Sequence, residues 1–529
     1  MRSAGNESES RDDRFPGQFF FVSTQAPAGP EKDEGFEEPA AVGKVTLHSV
    51  DYWVIDSGAT YSMTPRADLL TELEPSPVKH VTSALGQRAE VKGMGKAMFK
   101  GADGKMVGLK NWKKAMESEL KSIEENGTWE LVELPEGRKA ITSKWLFKIK
   151  SDANGNIERY KSRLVAKGYQ QKEKVDYKEL FAPVVKPTTL RTLLAGAAIK
   201  GWVVKQMDVT TAFLNGVLDE EIFMAQPEGF DDGSCRVLRL KKALYGLNQA
   251  PRQWYLKLRG VLEEIGFTPS TADHSFFMLG EGEQRSFMVV YVDDILIFSP
   301  SSDLVKEVML KLQDKFKCKA LGDVSFYLGL HIERDVEKRC MRVHQRKYRE
   351  ALAANFGQSE GHVATPFPSG FKCVKGPEEE SVGEEERRRF HSLVGSLMYA
   401  AVNTRPDVAF ATGQLARVVQ CPNEEQVAAG MRVAKYLGQT PTVGLQYSAA
   451  AQRRQKGADG VEPGRLFLTA FSDASFASEL EDMTSVGGFI CCVGGGPTSW
   501  ESKKQVDQAL SSVESEYMAL FRAVREIVW

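Results

Sequence analysis

Apolar residues come in short runs along this chain, and the breaks between the runs carry its candidate chemistry. Phe287 to Val290 and Ile295 to Phe298 are two such runs, separated only by Tyr291, Val292, Asp293 and Asp294. Two β-type runs around so short a break predict a tight hairpin with two carboxylates at its tip. Upstream, the largely apolar stretch Trp202 to Met207 leads into Asp208 and then a turn of small residues, predicting a buried strand that ends in one acid. Trp112, Met116, Leu120 and Ile123 recur at three- and four-residue steps, the pattern of an amphipathic helix over 110–126. From Val45 to Leu109, short apolar runs alternate with Gly-containing turns, as in a small all-β piece. Strands and helices then mix to about residue 360 without a regular βαβ repeat, which points to an α+β domain. Residues 390–440 read as helical. Near the end, Leu468 to Asp473 reads as another strand closing on an acid. Ser511 and Glu514 form a capping-box pattern that opens a helix, with Val513, Tyr517, Leu520, Phe521 and Val524 on one face.

Composition sets the frame around these elements. A chain of 529 residues is too long for one core, so several domains are expected. Residues 1–44 are rich in Gly, Pro, Ser and acids and lack periodicity, so they read as disordered. Residues 376–389 are a charged surface segment, and Ala451 to Gly464 is a polar, Gly-rich linker. No apolar stretch approaches the roughly 18 residues of a membrane span, and no basic-then-apolar leader opens the chain. Seven cysteines without CxxC spacing indicate neither a zinc site nor a disulfide framework, which suits a reducing compartment. The net charge of −2 conceals an asymmetry: residues 1–43 hold nine acids and four bases, leaving +3 on the rest. Residues 140–180 hold ten Lys/Arg against five Asp/Glu, with Tyr160, Tyr169 and Tyr177 among them. Such a surface suits phosphates, although a solvated lysine-rich face has the same composition.

The carboxylates supply the chemistry. Adjacent acids in a turn repel unless a cation sits beside them, and magnesium is the hard cation that takes carboxylate oxygens. Asp293 and Asp294 alone also fit an ordinary solvated turn, and Asp208 alone fits a strand-end cap. Together, three carboxylates at one sheet edge can hold two divalent ions about 3.5–4 Å apart, the arrangement that supports phosphoryl transfer.

Seven stretches in order carry a resemblance: NWKKAMESELKSIEENGTWELV (111–132), KWLFKIK (144–150), YKSRLVAKGYQQ (160–171), QMDVTTAFLNG (206–216), LKKALYGLNQAPRQWY (240–255), YVDDILIF (291–298) and LGDVSFYLGLHI (321–332). The chain resembles the pol polyprotein of a copia-type LTR retrotransposon, and its centre resembles that element's reverse transcriptase. The resemblance implies an α+β multidomain chain built around a right-hand polymerase of palm, fingers and thumb. The expected divisions are a disordered tail over 1–44, an aspartic protease-like fragment over 45–109, the reverse transcriptase over 110–360, a connection and linker over 361–465, and the first half of an RNase H-like domain over 466–529. Asp208, Asp293 and Asp294 match the catalytic aspartates and would hold Mg²⁺ (or Mn²⁺). Phe213 matches the sugar-facing aromatic that favours dNTPs over rNTPs. Lys161 and Arg163 fall where the fingers meet the incoming triphosphate, and sequence leaves open which of them does so. Gln249 and Pro251 match a motif that packs against template and nucleotide. Tyr327 to Leu330 resembles the turn that grips the primer end, and hairpin core has the same composition. The implied partners are an RNA or DNA template-primer and dNTPs, without a membrane, in a cytoplasmic particle or the nucleus.

The flanks carry fragments of the same resemblance. Trp53 to Thr60 resembles an aspartic-protease motif with Asp56 as the acid; one such loop requires a homodimer, since two carboxylates must share a proton. Asp473 and Glu516 match two metal ligands of an RNase H, while a strand-end acid and a solvated helix Glu fit the same residues. No zinc knuckle precedes the protease-like piece and no integrase stands between it and the polymerase, so an internally deleted or decayed copy is expected, with protease and RNase H activity doubtful. The competing readings are a catalytically silent remnant, or adopted nucleic-acid-binding protein, and a dimeric aspartic protease.

Overall fold

The computed structural model describes residues 109–528, except 152–156, 358–360, 372, 375, 377–380, 457–465 and 480–481, together with five short strands between Leu70 and Gly108. The chain forms two compact mixed α/β units: Met1–Leu180 with Phe213–Gln253, and Phe181–Ala212 with Trp254–Trp529. Residues 110–360 contribute to both units. The chain leaves the first unit at Leu180, builds the acid-ending strand of the second, and returns for Phe213–Gln253.

In the first unit every described element before the helix Leu109–Glu125 is a strand, in keeping with the expected all-β piece. That helix follows its apolar stripe: Ile123 is fully buried, and Trp112 meets Phe147 and Tyr160 edge-on at 5.1 and 4.9 Å. Phe147 and Tyr160 belong to a two-stranded antiparallel ribbon, Ser143–Ser151 with Ile157–Ala166. Side chains alternate across a strand, so Lys144, Lys148 and Lys150 share the opposite face with Arg159, Lys161 and Arg163. A three-stranded sheet, Val217–Met224, Val237–Lys242 and Trp129–Val132, completes the unit over a core that includes Ile141, Leu164, Ile222 and Leu240.

The second unit is organised by a six-stranded antiparallel sheet. Its strands are β1 (Val203–Val209), β2 (Thr268–Pro269), β3 (Phe276–Leu279), β4 (Ser286–Tyr291), β5 (Asp294–Ser299) and β6 (Cys318–Asp323), in the order β2-β3-β4-β5-β1-β6. The helix Pro187–Lys200 packs against this core and is apolar nearly all round, as a buried helix must be. Pro187 starts it and Gly201, at φ 74°, closes it in the left-handed conformation.

Leu445–Ser448 pairs with Cys340–His344 as the outer strand of a four-stranded sheet that includes Phe326–Tyr327 and Leu330–Asp335. The helices Arg346–Phe356, Glu384–Asn403, Ala409–Arg417 and Glu424–Gln439 share one core, including Leu352, Leu397 and Val433. At the end, β7 (Leu468–Ser475), β8 (Val486–Val493) and β9 (Gly496–Lys504) form an antiparallel sheet covered by the helix Ser512–Val528. This sheet is fastened to the buried helix. The Arg191 guanidinium lies 4.1 Å from the Trp500 ring centre and donates to the Thr498 carbonyl at 2.6 Å. No described helix is long and apolar enough to cross a membrane.

Candidate active site

The predicted hairpin is present. β4 and β5 pair with Tyr291 opposite Asp294, leaving Val292 and Asp293 as a two-residue loop. Val292 takes φ 56°, which suits the first loop position of a tight hairpin but is costly for a β-branched residue. Three hydrogen bonds hold this tip. The buried Trp254 indole N–H donates to the Val292 carbonyl at 2.7 Å, the Val209 N–H to the Asp293 carbonyl at 2.9 Å, and the Tyr327 hydroxyl to the Asp294 carbonyl at 3.3 Å. Replacing Trp254 with Phe keeps a ring but strands the Val292 carbonyl. We expect a loss of about 1–2 kcal/mol in urea unfolding; a variant as stable as the parent would show that the bond does not hold the turn.

The third carboxylate joins through the sheet. β5 pairs with β1 so that Asp294 lies directly opposite Asp208, and directly opposed residues share a face with their Cβ atoms about 5 Å apart. On its other side, Asp208 is opposite Lys319 of β6, giving the row Asp294, Asp208, Lys319. All three aspartates are half-buried. Burial raises the Asp294 carboxyl to about 6, helped by the charges of Asp293 and Asp208, while a hydrogen bond with Gln206 pulls it back. Burial and the Asp208 charge likewise push the Cys318 thiol up to about 11. Burial, with Asp294, Tyr291 and Asp293 beyond it, keeps the Tyr327 phenol neutral.

The donor set is therefore right for a hard cation, and its internal repulsion is visible. It is not a finished cage: among the described residues no three His, Cys, Asp or Glu side chains are gathered to hold a metal alone. Magnesium commonly binds through one or two carboxylates plus substrate phosphates, and an open carboxylate row fits that mode. A cavity of about 270 Å³ elsewhere in this unit, lined by Thr188, Asp273, Cys491, Ser499 and Glu526 among others, includes none of the three aspartates. Its lining lacks their concentration of charge, so the carboxylate row is the better candidate for chemistry.

Residues 126–367, which contain this row, match the family model for reverse transcriptase (RNA-dependent DNA polymerase), and residues 53–112 match the Pol polyprotein beta-barrel domain. The chain is 37% identical over 423 residues to the retrovirus-related Pol polyprotein from transposon TNT 1-94 of Nicotiana tabacum, covering 79% of this chain and 31% of that protein. It is 37% identical over 422 residues to the Pol polyprotein from transposon RE2 of Arabidopsis thaliana, covering 79% and 28%. The chain belongs to the copia-type Pol polyproteins. It spans about three-tenths of the length of these relatives. A foamy viral protease-reverse transcriptase in complex with double-stranded DNA is 11% identical and overlaps 79% of this chain and 60% of its own, at a TM-score of 0.42, too low to support an argument.

The expected nucleotide-contact residues of this Pol chain, Lys161, Arg163, Phe213 and Gln249, lie in the first unit. Lys161 and Arg163 stand on the basic face of the ribbon, two residues apart. Burial and the neighbouring Arg163 and Lys150 charges lower the Lys161 ammonium from its ordinary range. The Phe213 ring meets Tyr245 edge-on at 4.6 Å, and the Arg163 guanidinium lies 4.3 Å from the centre of the same Tyr245 ring.

Gln249 departs from expectation. It is 1% exposed, its amide N–H₂ donates to the Asp176 carbonyl at 2.7 Å, and its carbonyl accepts from Gln171 at 3.0 Å. Both ends of the side chain are committed inside the unit, so Gln249 organises the loop around Asp176 and is not free to meet a nucleotide. Replacing it with Leu strands both partners and should cost about 1–3 kcal/mol in denaturant unfolding.

Asp473 of β7 pairs with Gly488, and its neighbour Ala474 pairs with Gly487. A Cβ on Gly487 would meet Ala519 of the last helix at 3.3 Å, so the face with Ala474 is the covered one and Asp473 belongs to the other. Glu516 is exposed on that helix. The expected pair is thus divided between two sides of the sheet. Asp56 lies outside the described residues. Trp254 and Tyr245 were not singled out as site residues from sequence, and Tyr327, expected in the turn that grips the primer end, bonds the hairpin at the Asp294 carbonyl. The available signal was chemical, since a buried Trp or Tyr requires a partner for its polar atom.

Proposed function

We propose that this chain is an RNA-directed DNA polymerase that extends a primer at Asp208, Asp293 and Asp294, using Mg²⁺ (or Mn²⁺). The observation that carries this reading is Asp208 opposite Asp294, with Asp293 in the adjoining turn, inside a segment matching the reverse transcriptase model. When bound, two divalent ions lower the pKa of the primer 3′-hydroxyl and neutralise the departing pyrophosphate. The chain's own part is to hold the carboxylates in place, which Trp254, Val209 and Tyr327 do through the hairpin backbone. Lys161 or Arg163 supplies positive charge for the triphosphate, and Phe213 meets the sugar. In this reading the six-stranded sheet is the palm, the ribbon and its sheet are the fingers, and the helices over 346–439 form the thumb and connection. The partners are an RNA or DNA template-primer and dNTPs, within a cytoplasmic particle or the nucleus. We assign no hydrolytic role to Asp56, Asp473 or Glu516.

The test is extension of oligo(dT) on poly(rA) with dTTP and Mg²⁺, beside the Asp293→Asn/Asp294→Asn double variant. Extension by the parent alone supports the reading. Equal extension by both indicates a contaminant. A folded parent that binds the duplex without extending it is an adopted nucleic-acid-binding protein.

A further inference from the structure

Tyr245 touches Phe213, to which the proposed function gives the sugar, and Arg163, one of the two cations to which it gives the triphosphate. One face of its ring carries the Arg163 guanidinium at 4.3 Å, and the Phe213 ring meets it edge-on at 4.6 Å and 62°. Both geometries are attractive: a guanidinium binds the electron-rich face of an aromatic ring, and a second ring prefers the edge-to-face approach. All three side chains are half-buried, so part of each is accessible.

The backbone keeps Tyr245 in this position. Its carbonyl accepts from the Ala166 N–H at 2.7 Å, at the end of the ribbon strand that carries Arg163. Gly246 follows at φ 91°, where an added Cβ would collide with the Ala166 carbonyl. Gly168 in turn packs so closely that its own Cβ would strike the Gly246 carbonyl. The Tyr245 backbone is thus tied to the end of the ribbon, which fixes the point from which its side chain departs.

We infer that Tyr245 is a positioning residue for substrate selection, a single ring that couples grip on the triphosphate, through Arg163, to rejection of the ribose 2′-hydroxyl, through Phe213. This inference rests on the proposed function for those two residues and adds that they do not act independently. Independent contacts would fail separately: loss of Arg163 would weaken deoxy- and ribonucleotides alike, and loss of Phe213 would relax sugar choice alone. A shared ring makes both measures fall together when it is removed.

The experiment measures equilibrium binding rather than turnover. The full chain is loaded with poly(rA) annealed to oligo(dT) ending in a dideoxynucleotide, with Mg²⁺, and titrated with dUTP and with UTP. These two nucleotides differ only at the 2′ position. Tyr245→Leu should weaken dUTP binding by about tenfold and reduce the dUTP-over-UTP preference by a similar factor, while Tyr245→Phe, which keeps the ring, stays within about threefold of the parent on both. Unchanged values for Tyr245→Leu, or equal losses in Tyr245→Phe and Tyr245→Leu, overturn the inference. If Tyr245→Leu does not fold, Arg163→Gln decides: coupling predicts a lower dUTP-over-UTP preference, and independence predicts an unchanged one. Absence of dUTP binding by the folded parent overturns both the inference and the polymerase reading. Binding with the predicted pattern but without extension of an unblocked primer overturns the polymerase reading alone.

Discussion

Asp208→Asn is expected to reduce primer extension by roughly a thousandfold, and the paired Asp293→Asn/Asp294→Asn change by at least as much. The reason is charge placed where charge develops. Asp208 sits at the centre of the row, opposite Asp294 on one strand and Lys319 on the other. Asn keeps the shape and the strand register but cannot balance a divalent cation, so fold and template binding should survive. The check is extension of oligo(dT) on poly(rA), together with circular dichroism and duplex binding for each variant. A variant that keeps duplex binding and loses extension supports the assignment. Retention of more than about a tenth of parental activity in Asp208→Asn would remove that residue from the site, because a group acting directly on the reacting charge costs far more than that.

The second large effect concerns pH. Asp294 has its carboxyl raised from 3.8 to about 6, by burial first and then by Asp293 and Asp208. Between about pH 4 and 6 the folded chain therefore holds a proton that the unfolded chain has released. Stability falls as pH rises through that window and stays lower above it. For a half-exposed carboxyl the net effect is about 1 kcal/mol after allowance for solvent screening. Asp294→Asn cannot ionise, so it should be more stable than the parent by about that amount at pH 7.5 and equal to it near pH 4. Mg²⁺ should offset the penalty in the parent above pH 6 and do little for the variant, since cation binding favours the ionised carboxylate. Urea unfolding at both pH values, with and without Mg²⁺, measures all of this. A stability difference that does not change between pH 4 and 7.5 would mean that neither burial nor the neighbouring carboxylates raise the Asp294 carboxyl.

Much of the site was legible because its signals are local. The hairpin follows from two four-residue apolar runs around a short break, and the amphipathic helix from residues three and four apart. Asp208 was legible as a strand-end acid, but its position opposite Asp294, 86 residues on, depends on a pairing between distant segments, and only the ordered motifs pointed there. Gln249 was read as a nucleotide contact from its motif. Its actual partners, Gln171 and Asp176, lie 78 and 73 residues away. Trp254 escaped for the same reason, and so did the bond that Tyr327, read as part of the primer-gripping turn, makes to the hairpin; these bonds span 38 and 33 residues.

By itself, then, the sequence determined which segments are strands and helices, which carboxylates are available, and the family to which their order belongs. Those properties depend on periodicity and on residue chemistry, both carried by neighbouring positions. The tertiary structure decided the rest. It divided the polymerase segment between two units, fastened the last sheet to the helix Pro187–Lys200 through Arg191 and Trp500, set Asp473 on the face away from Glu516, and brought the Arg163 guanidinium and the edge-on Phe213 ring against Tyr245. Each of these is a matter of register or of contact between distant segments. A strand's alternation shows that it has two faces, and only pairing with its neighbours decides which face meets the core.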